Sequence, residues 1–294
     1  MRLKGVYPAL VTPLTPEEKV DAAGLRRVVR YCLDGGVHGL LALGTTGEFP
    51  AMTGAMRRQA METVLDEAGG KVPVLIGCGD TSTRKIIEQV RVAARTRADA
   101  VLAAVPYYYP LDQAAVERHF LMVAEASEKP VLIYNFPQMT KIAVAPDTLA
   151  ALAVHPNIVG VKESSGDFIN LQRFLDVTSG RDFTVMCGNP ALGLAAYIHG
   201  ARGGIYAACS LVPKLCAEVY DAYCRNDLAA AVALQKRASH IPLMGSFGPA
   251  AAVIKHGLSR LGICGPTVSA PLAVAAGQEE KIAAWMQQLG IDGR

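Results

Sequence analysis

No run of about 18 consecutive apolar residues occurs in the chain, so no membrane span is expected. The opening Met1-Arg2-Leu3-Lys4-Gly5 has no apolar h-region and no cleavage site, which points to a cytoplasmic protein. Charge is scarce: charged residues make up 19% and the net charge is +3. With no basic stripe and no acidic tail, nucleic acid is not an expected partner. CxxC pairs are missing. The seven cysteines are odd in number and scattered, which argues for reduced thiols and against a disulfide framework or a zinc site. The six histidines (His38, His119, His155, His199, His240 and His256) are dispersed and form no ligand cluster, so no metal is expected. No GxGxxG follows the first apolar run, no GK[ST] ends a glycine-rich loop, and no GxSxG turn is present.

What the chain has is alternation. Short apolar runs at Val6–Leu14, Gly39–Leu43, Pro73–Cys78, Ala100–Val105, Pro130–Tyr134, Ile158–Lys162, Phe183–Cys187 and Gly203–Cys209 read as buried strands. Each is followed by a helical pattern, with helices expected at 21–33, 53–68, 82–95, 112–126, 146–154, 167–177, 191–198 and 213–223. Asp80 or Thr81 could cap the third of these. Eight such units favour an α/β fold, a closed (β/α)8 TIM barrel over residues 1–224. Residues 225–294 read as helix at 228–239, 248–260 and 270–289, a C-terminal helical extension packed on the barrel. Trp285 is expected to anchor it.

In such a barrel the chemistry gathers where the strands end. The sixth strand, Ile158-Val159-Gly160-Val161, ends in Lys162. Buried lysines usually sit in structural ion pairs; an unpaired one loses its proton readily and becomes a nucleophile. The neighbouring fifth strand ends in Tyr134, whose phenol beside an amine could shuttle protons. The second ends in Gly44-Thr45-Thr46-Gly47-Glu48, where glycines let backbone amides approach a ligand and two hydroxyls add donors, a cradle for a small carboxylate. The fourth ends in Pro106-Tyr107-Tyr108-Tyr109, a subunit contact, a second proton carrier or both at once. Glu48 and Glu163 could form a carboxylate pair, although no further ligand accompanies them.

Gly44-Thr45-Thr46-Gly47-Glu48, Pro106-Tyr107-Tyr108, Tyr134-Asn135-Phe136-Pro137 and Gly160-Val161-Lys162-Glu163-Ser164-Ser165, in this order and spacing, resemble the dihydrodipicolinate synthase / N-acetylneuraminate lyase family of pyruvate-dependent class I aldolases. The resemblance covers the whole chain. It implies that Lys162 forms a Schiff base with pyruvate or another 2-keto acid and that Tyr134 relays protons to the adduct. It implies Thr46 and Tyr108 as relay partners of Tyr134, with Tyr108 supplied by a neighbouring subunit of a homotetramer. Thr45 and Thr46 resemble the loop that holds the keto acid's carboxylate. Gly188 and Ile205 resemble positions whose backbone lines the pocket. No cofactor is implied.

Two positions depart from the subfamily patterns. Lysine-biosynthetic synthases usually carry an arginine two residues after the proline of YN-x-P, where this chain has Met139, which cannot make a bidentate carboxylate contact. Sialic acid lyases usually show an acidic pair after the strand-seven glycine, where this chain has Asn189-Pro190. The expected function is therefore a Schiff-base aldolase or lyase joining or cleaving a 2-keto acid and an aldehyde, with a 2-keto-3-deoxy sugar acid or related hydroxy-keto acid as substrate class. The alternatives are 4-hydroxy-tetrahydrodipicolinate synthase and an inactive keto-acid-binding regulator.

Overall fold

A computed structural model describes residues 3–291; the ends of the two expected segments, 1–2 and 292–294, lie outside the described residues. The barrel consists of β1 (Gly5–Pro8), α1 (Ala22–Asp34), β2 (Leu40–Ala42), α2 (Gly54–Ala68), β3 (Val74–Cys78), α3 (Thr83–Ala94), β4 (Ala100–Ala104), α4 (Gln113–Ala126), β5 (Val131–Asn135), α5 (Pro137–Thr140), α6 (Pro146–Leu152), β6 (Ile158–Glu163), α7 (Phe168–Val177), β7 (Thr184–Cys187), α8 (Gly193–Ile198), β8 (Gly203–Tyr206) and α9 (Pro213–Cys224). After it come α10 (Leu228–Ala238), α11 (Ala250–Arg260) and α12 (Glu279–Gln288).

The eight strands form one parallel sheet in the order β1-β8-β7-β6-β5-β4-β3-β2. A parallel bridge between Ala9 and Leu41, with Leu10 N–H donating to the Leu41 carbonyl at 2.9 Å, brings the two edges together as a TIM barrel. Strands buried on both faces must be apolar throughout. One face of them fills the barrel interior with Leu3, Tyr7, Ala9, Leu41, Leu75, Leu102, Leu132, Met186 and Ile205. The other face packs under the helices, whose apolar stripes supply residues such as Leu25, Val28, Val29 and Cys32.

The helices begin where side chains can satisfy their free N–H groups. Asp21, Thr53, Asp112 and Asp167 each accept from a backbone N–H in the first turn. The cap of α3 is Ser82, which accepts from Lys85 N–H, and not Asp80 or Thr81. Asp80 instead turns to Thr81 N–H at 2.8 Å and Gln89 Nε2 at 3.0 Å.

Three other expectations change. The first strand is cut to Gly5–Pro8; Pro8 has no N–H to give, and beyond it only single bonds remain, Ala9 N–H to the Tyr206 carbonyl and Leu10 N–H to the Leu41 carbonyl, each at 2.9 Å. The eighth ends at Tyr206, and Cys209 falls in a 3-10 turn over Ala208–Ser210. The last helix spans only Glu279–Gln288, since Pro271 and a left-handed Gly277 interrupt the segment before it.

The C-terminal helices join the barrel's outer core through Val253, Ile254, Leu258 and Trp285. Trp285 is 2% exposed, and its indole N–H donates to the His240 carbonyl at 2.9 Å. Polar ties cross as well: Arg27 Nε donates to the Ile263 carbonyl at 2.7 Å, and Gln235 Nε2 to the Pro190 carbonyl at 3.0 Å.

Candidate active site at the strand ends

Adjacent parallel strands place Tyr134 and Lys162 side by side, since Tyr134 is the register partner of Lys162. Both belong to the last turns of buried strands, so both side chains are held in the barrel mouth away from bulk water. Lys162 is 5% exposed, and no ion pair to it is present among the described residues. Its Nζ lies 4.3 Å from the centroid of the Tyr134 ring. Burial without a counter-charge favours the neutral amine. The Lys162 pKa falls from the ordinary 10.5 to about 7, and desolvation is the cause. At neutral pH a large fraction of this amine therefore carries a free lone pair.

Tyr134 is held in the opposite state. Burial pushes its pKa up to about 12, against the smaller pull of the Thr45 and Ser164 hydroxyls. The phenol stays protonated and can give a proton to a neighbouring oxyanion and take it back. Its hydroxyl lies 3.3 Å from Thr45 Oγ1. The family resemblance implies Thr46 as that partner. The turn over Thr45–Gly47 is 3-10, and it turns the first of the two hydroxyls towards Tyr134. Thr46 is buried and makes no hydrogen bond to Tyr134 among the described residues.

Ser164 was not assigned a role from sequence. Its hydroxyl is buried and lies close enough to Tyr134 to lower the phenol's pKa. A serine two residues beyond a strand-end lysine shares its side of the strand, and that period-two spacing is the signal that could have found it. Gly188 makes the space for it. A Cβ at 188 would lie 1.9 Å from Ser164 Oγ and 2.7 Å from the Glu163 carbonyl. Gly188→Ala is expected to cost about 1–3 kcal/mol by overpacking, read as a lowered melting temperature.

Glu163 is not a partner of Glu48. Its carboxylate accepts from Asn135 Nδ2, from Ser165 N–H at 2.7 Å and from Asn170 Nδ2 at 3.1 Å. Burial raises its pKa, and these donors oppose the rise. The expected carboxylate pair is thus two separate buried acids, because Glu48 is paired with Lys255 of α11.

The remaining candidates divide. Ile205 on β8 is fully buried among the barrel-interior side chains. Asn189 caps a short 3-10 turn, accepting from Ala191 N–H at 3.0 Å. Met139 lies on α5, a helix too short for any periodicity to announce, and is 59% exposed. Tyr108 is turned outwards, 82% exposed with φ of 109°, and makes no hydrogen bond to Tyr134 among the described residues.

Comparison with known proteins agrees with this geometry along the whole chain. A model of the "Dihydrodipicolinate synthetase family" matches residues 2–289. The 4-hydroxy-tetrahydrodipicolinate synthase of Methanopyrus kandleri is 41% identical over 229 residues, covering 77% of this chain and 76% of that protein. The enzyme of the same name from Methylobacterium radiotolerans is 39% identical over 265 residues, covering 89% and 87%. Among solved structures, YagE, a prophage protein of the dihydrodipicolinic acid synthase family from E. coli K12 solved with pyruvate, superposes with a TM-score of 0.95 at 28% identity, covering 99% of this chain and 100% of that one. A buried, uncharged-prone lysine beside a protonated tyrosine at the mouth of an eight-stranded barrel and a sequence match over nearly every residue lead to one assignment: this chain belongs to the dihydrodipicolinate synthetase family.

Proposed function

We propose that the protein is a class I aldolase or lyase that activates pyruvate or another 2-keto acid as a Schiff base on Lys162 and joins it to, or cleaves it from, an aldehyde. The observation that carries this is the buried Lys162 amine, with no ion-pair partner among the described residues and its pKa near 7, in register with Tyr134. The neutral amine attacks the keto carbon. Loss of water leaves an iminium, which is an electron sink for a carbanion on the adjacent carbon. A proton lost from that carbon to the released water gives the enamine, which adds to the aldehyde; Tyr134 gives its proton to the new alkoxide and recovers one from that water, and hydrolysis of the iminium then frees Lys162. In this reading the amides and hydroxyls of Thr45 and Thr46 hold the keto acid's carboxylate. Gly188 and Ile205 line its pocket, and Met139 and Asn189 border the second substrate.

Tyr108, exposed in the single chain, reaches the relay of a neighbouring subunit in a homotetramer. Residues 225–294 act as a packed extension of the barrel at 1–224, and the enzyme works in the cytoplasm without a cofactor.

Incubation with pyruvate and borohydride, followed by intact mass, tests the central step. One covalent adduct on Lys162 is expected, and its absence would refute the proposal. Tyr134→Phe is expected to lower turnover by about 10²–10⁴-fold, as loss of a positioned acid–base group does. It should still accumulate adduct, separating proton relay from imine formation.

A second reading has direct support: the relatives at 41% and 39% identity bear the name 4-hydroxy-tetrahydrodipicolinate synthase. Met139 in place of a carboxylate-binding arginine favours a different aldehyde. Turnover of pyruvate with aspartate semialdehyde, set against a panel of hydroxyaldehydes, decides between them. A trapped adduct with no turnover across the panel would mark an inactive keto-acid-binding regulator.

A further inference from the structure

The Gly44–Gly47 loop is bracketed by two left-handed residues that are not glycine, Leu43 at φ 59° and Glu48 at φ 60°. Side chains avoid that region, and such conformations persist only where the surroundings impose them. The loop's own bonds are few: Gly47 N–H to the Gly44 carbonyl at 2.9 Å and Glu48 N–H to the Thr45 carbonyl at 3.0 Å. What holds its far end comes from the C-terminal helices. Glu48 pairs with Lys255 of α11, and the two side chains are 1% and 0% exposed. The other carboxylate oxygen of Glu48 accepts from Ser269 N–H at 2.7 Å. Lys255 Nζ also donates to the Thr267 carbonyl at 2.9 Å. One buried ion pair thus fastens the strained loop to α11 and to the 267–269 segment, some 200 residues away in sequence.

A buried pair is weak evidence of stability, because removing two charges from water offsets most of their attraction. It is better suited to fixing one arrangement against others. The arrangement fixed here is that of Thr45, whose hydroxyl meets Tyr134.

We propose that Glu48 and Lys255 are positioning residues for keto-acid binding, setting the Thr45–Thr46 loop in the geometry that receives the substrate carboxylate. This rests on the Schiff-base reading above. Neither side chain touches substrate; both act through the loop.

The test compares borohydride trapping of pyruvate with trapping of acetone, a ketone that lacks the carboxylate. It uses wild type, Glu48→Gln and the double variant Glu48→Gln/Lys255→Met. In wild type, half-maximal trapping is expected at a far lower concentration of pyruvate than of acetone. In the variants the pyruvate value is expected to rise by up to about 100-fold, the scale of a misplacement near 1 Å, while the acetone value stays within about twofold. A merely structural role would move both together. Glu48→Gln leaves Lys255 buried without its partner and could unfold. The double variant removes both charges and is expected to keep a cooperative melt, since neutral replacement of buried pairs is commonly tolerated. A folded double variant with the wild-type pyruvate-to-acetone ratio would overturn the pair's role alone. No adduct on wild type would overturn the Schiff-base reading and the pair's role with it.

Discussion

Lys162→Ala is expected to lower kcat/KM by at least about 10⁴-fold and to abolish the borohydride adduct, because removing a covalent nucleophile leaves only binding and electrostatic catalysis. Lys162→Arg should fail equally. A guanidinium keeps its proton at any working pH and cannot attack a carbonyl. The pH profile makes the claim sharper. With the amine titrating near 7, the rate of adduct formation should rise about tenfold per pH unit below that value and level off above it. Tyr134 stays protonated across the whole window, since its pKa is pushed up to about 12, so no falling limb from the phenol is expected below about pH 11. Adduct formation that is independent of pH between 5 and 8 would contradict the assignment of Lys162 as the attacking group.

Lys162 was legible in the sequence because a lone cation closing a β-branched apolar run is a local conflict, and such conflicts mark functional sites. The barrel was legible for a related reason: short continuous apolar runs alternating with the 3.6-residue period of the helices are written into consecutive residues. The features that were missed have no local signature. Thr45 and Thr46 are identical neighbours, and only their places on a single 3-10 turn decide which hydroxyl meets Tyr134. Asp80, Thr81 and Ser82 are all good caps, and the choice fell to Ser82 because Asp80 is drawn to Arg57 and Lys85. Lys255 lies in an apolar helical stretch, and its partner Glu48 is supplied by a loop two hundred residues earlier. Pairings of that range come from the closed fold and not from any window of sequence.

The largest stability effect is also expected at Lys162, and its sign is the reverse of the usual core substitution. Lys162→Met keeps the length and apolar stem of the side chain but removes the ionisable end. In the folded state the pKa is about 7, against an ordinary 10.5. Between those values the unfolded chain holds the proton and the folded chain does not. Wild-type stability therefore rises with pH across that window, by roughly 1.4 kcal/mol per unit. Below pH 7 both states are protonated, and the full cost of burying the ammonium remains, about 5 kcal/mol at most. Contact with the Tyr134 ring at 4.3 Å already relieves the ammonium in part. A gain of a few kcal/mol is expected for Lys162→Met at pH 6, a rise in melting temperature of about 5 °C or more. The gain should shrink steadily above pH 7 and vanish near pH 10.5. A gain of equal size at pH 6 and pH 10 would point to better packing instead, and a loss at pH 6 would mean the amine has a partner that holds its charge. The trade is the expected one for a nucleophile kept out of water: the burial that makes Lys162 reactive is the same burial that makes it expensive to fold.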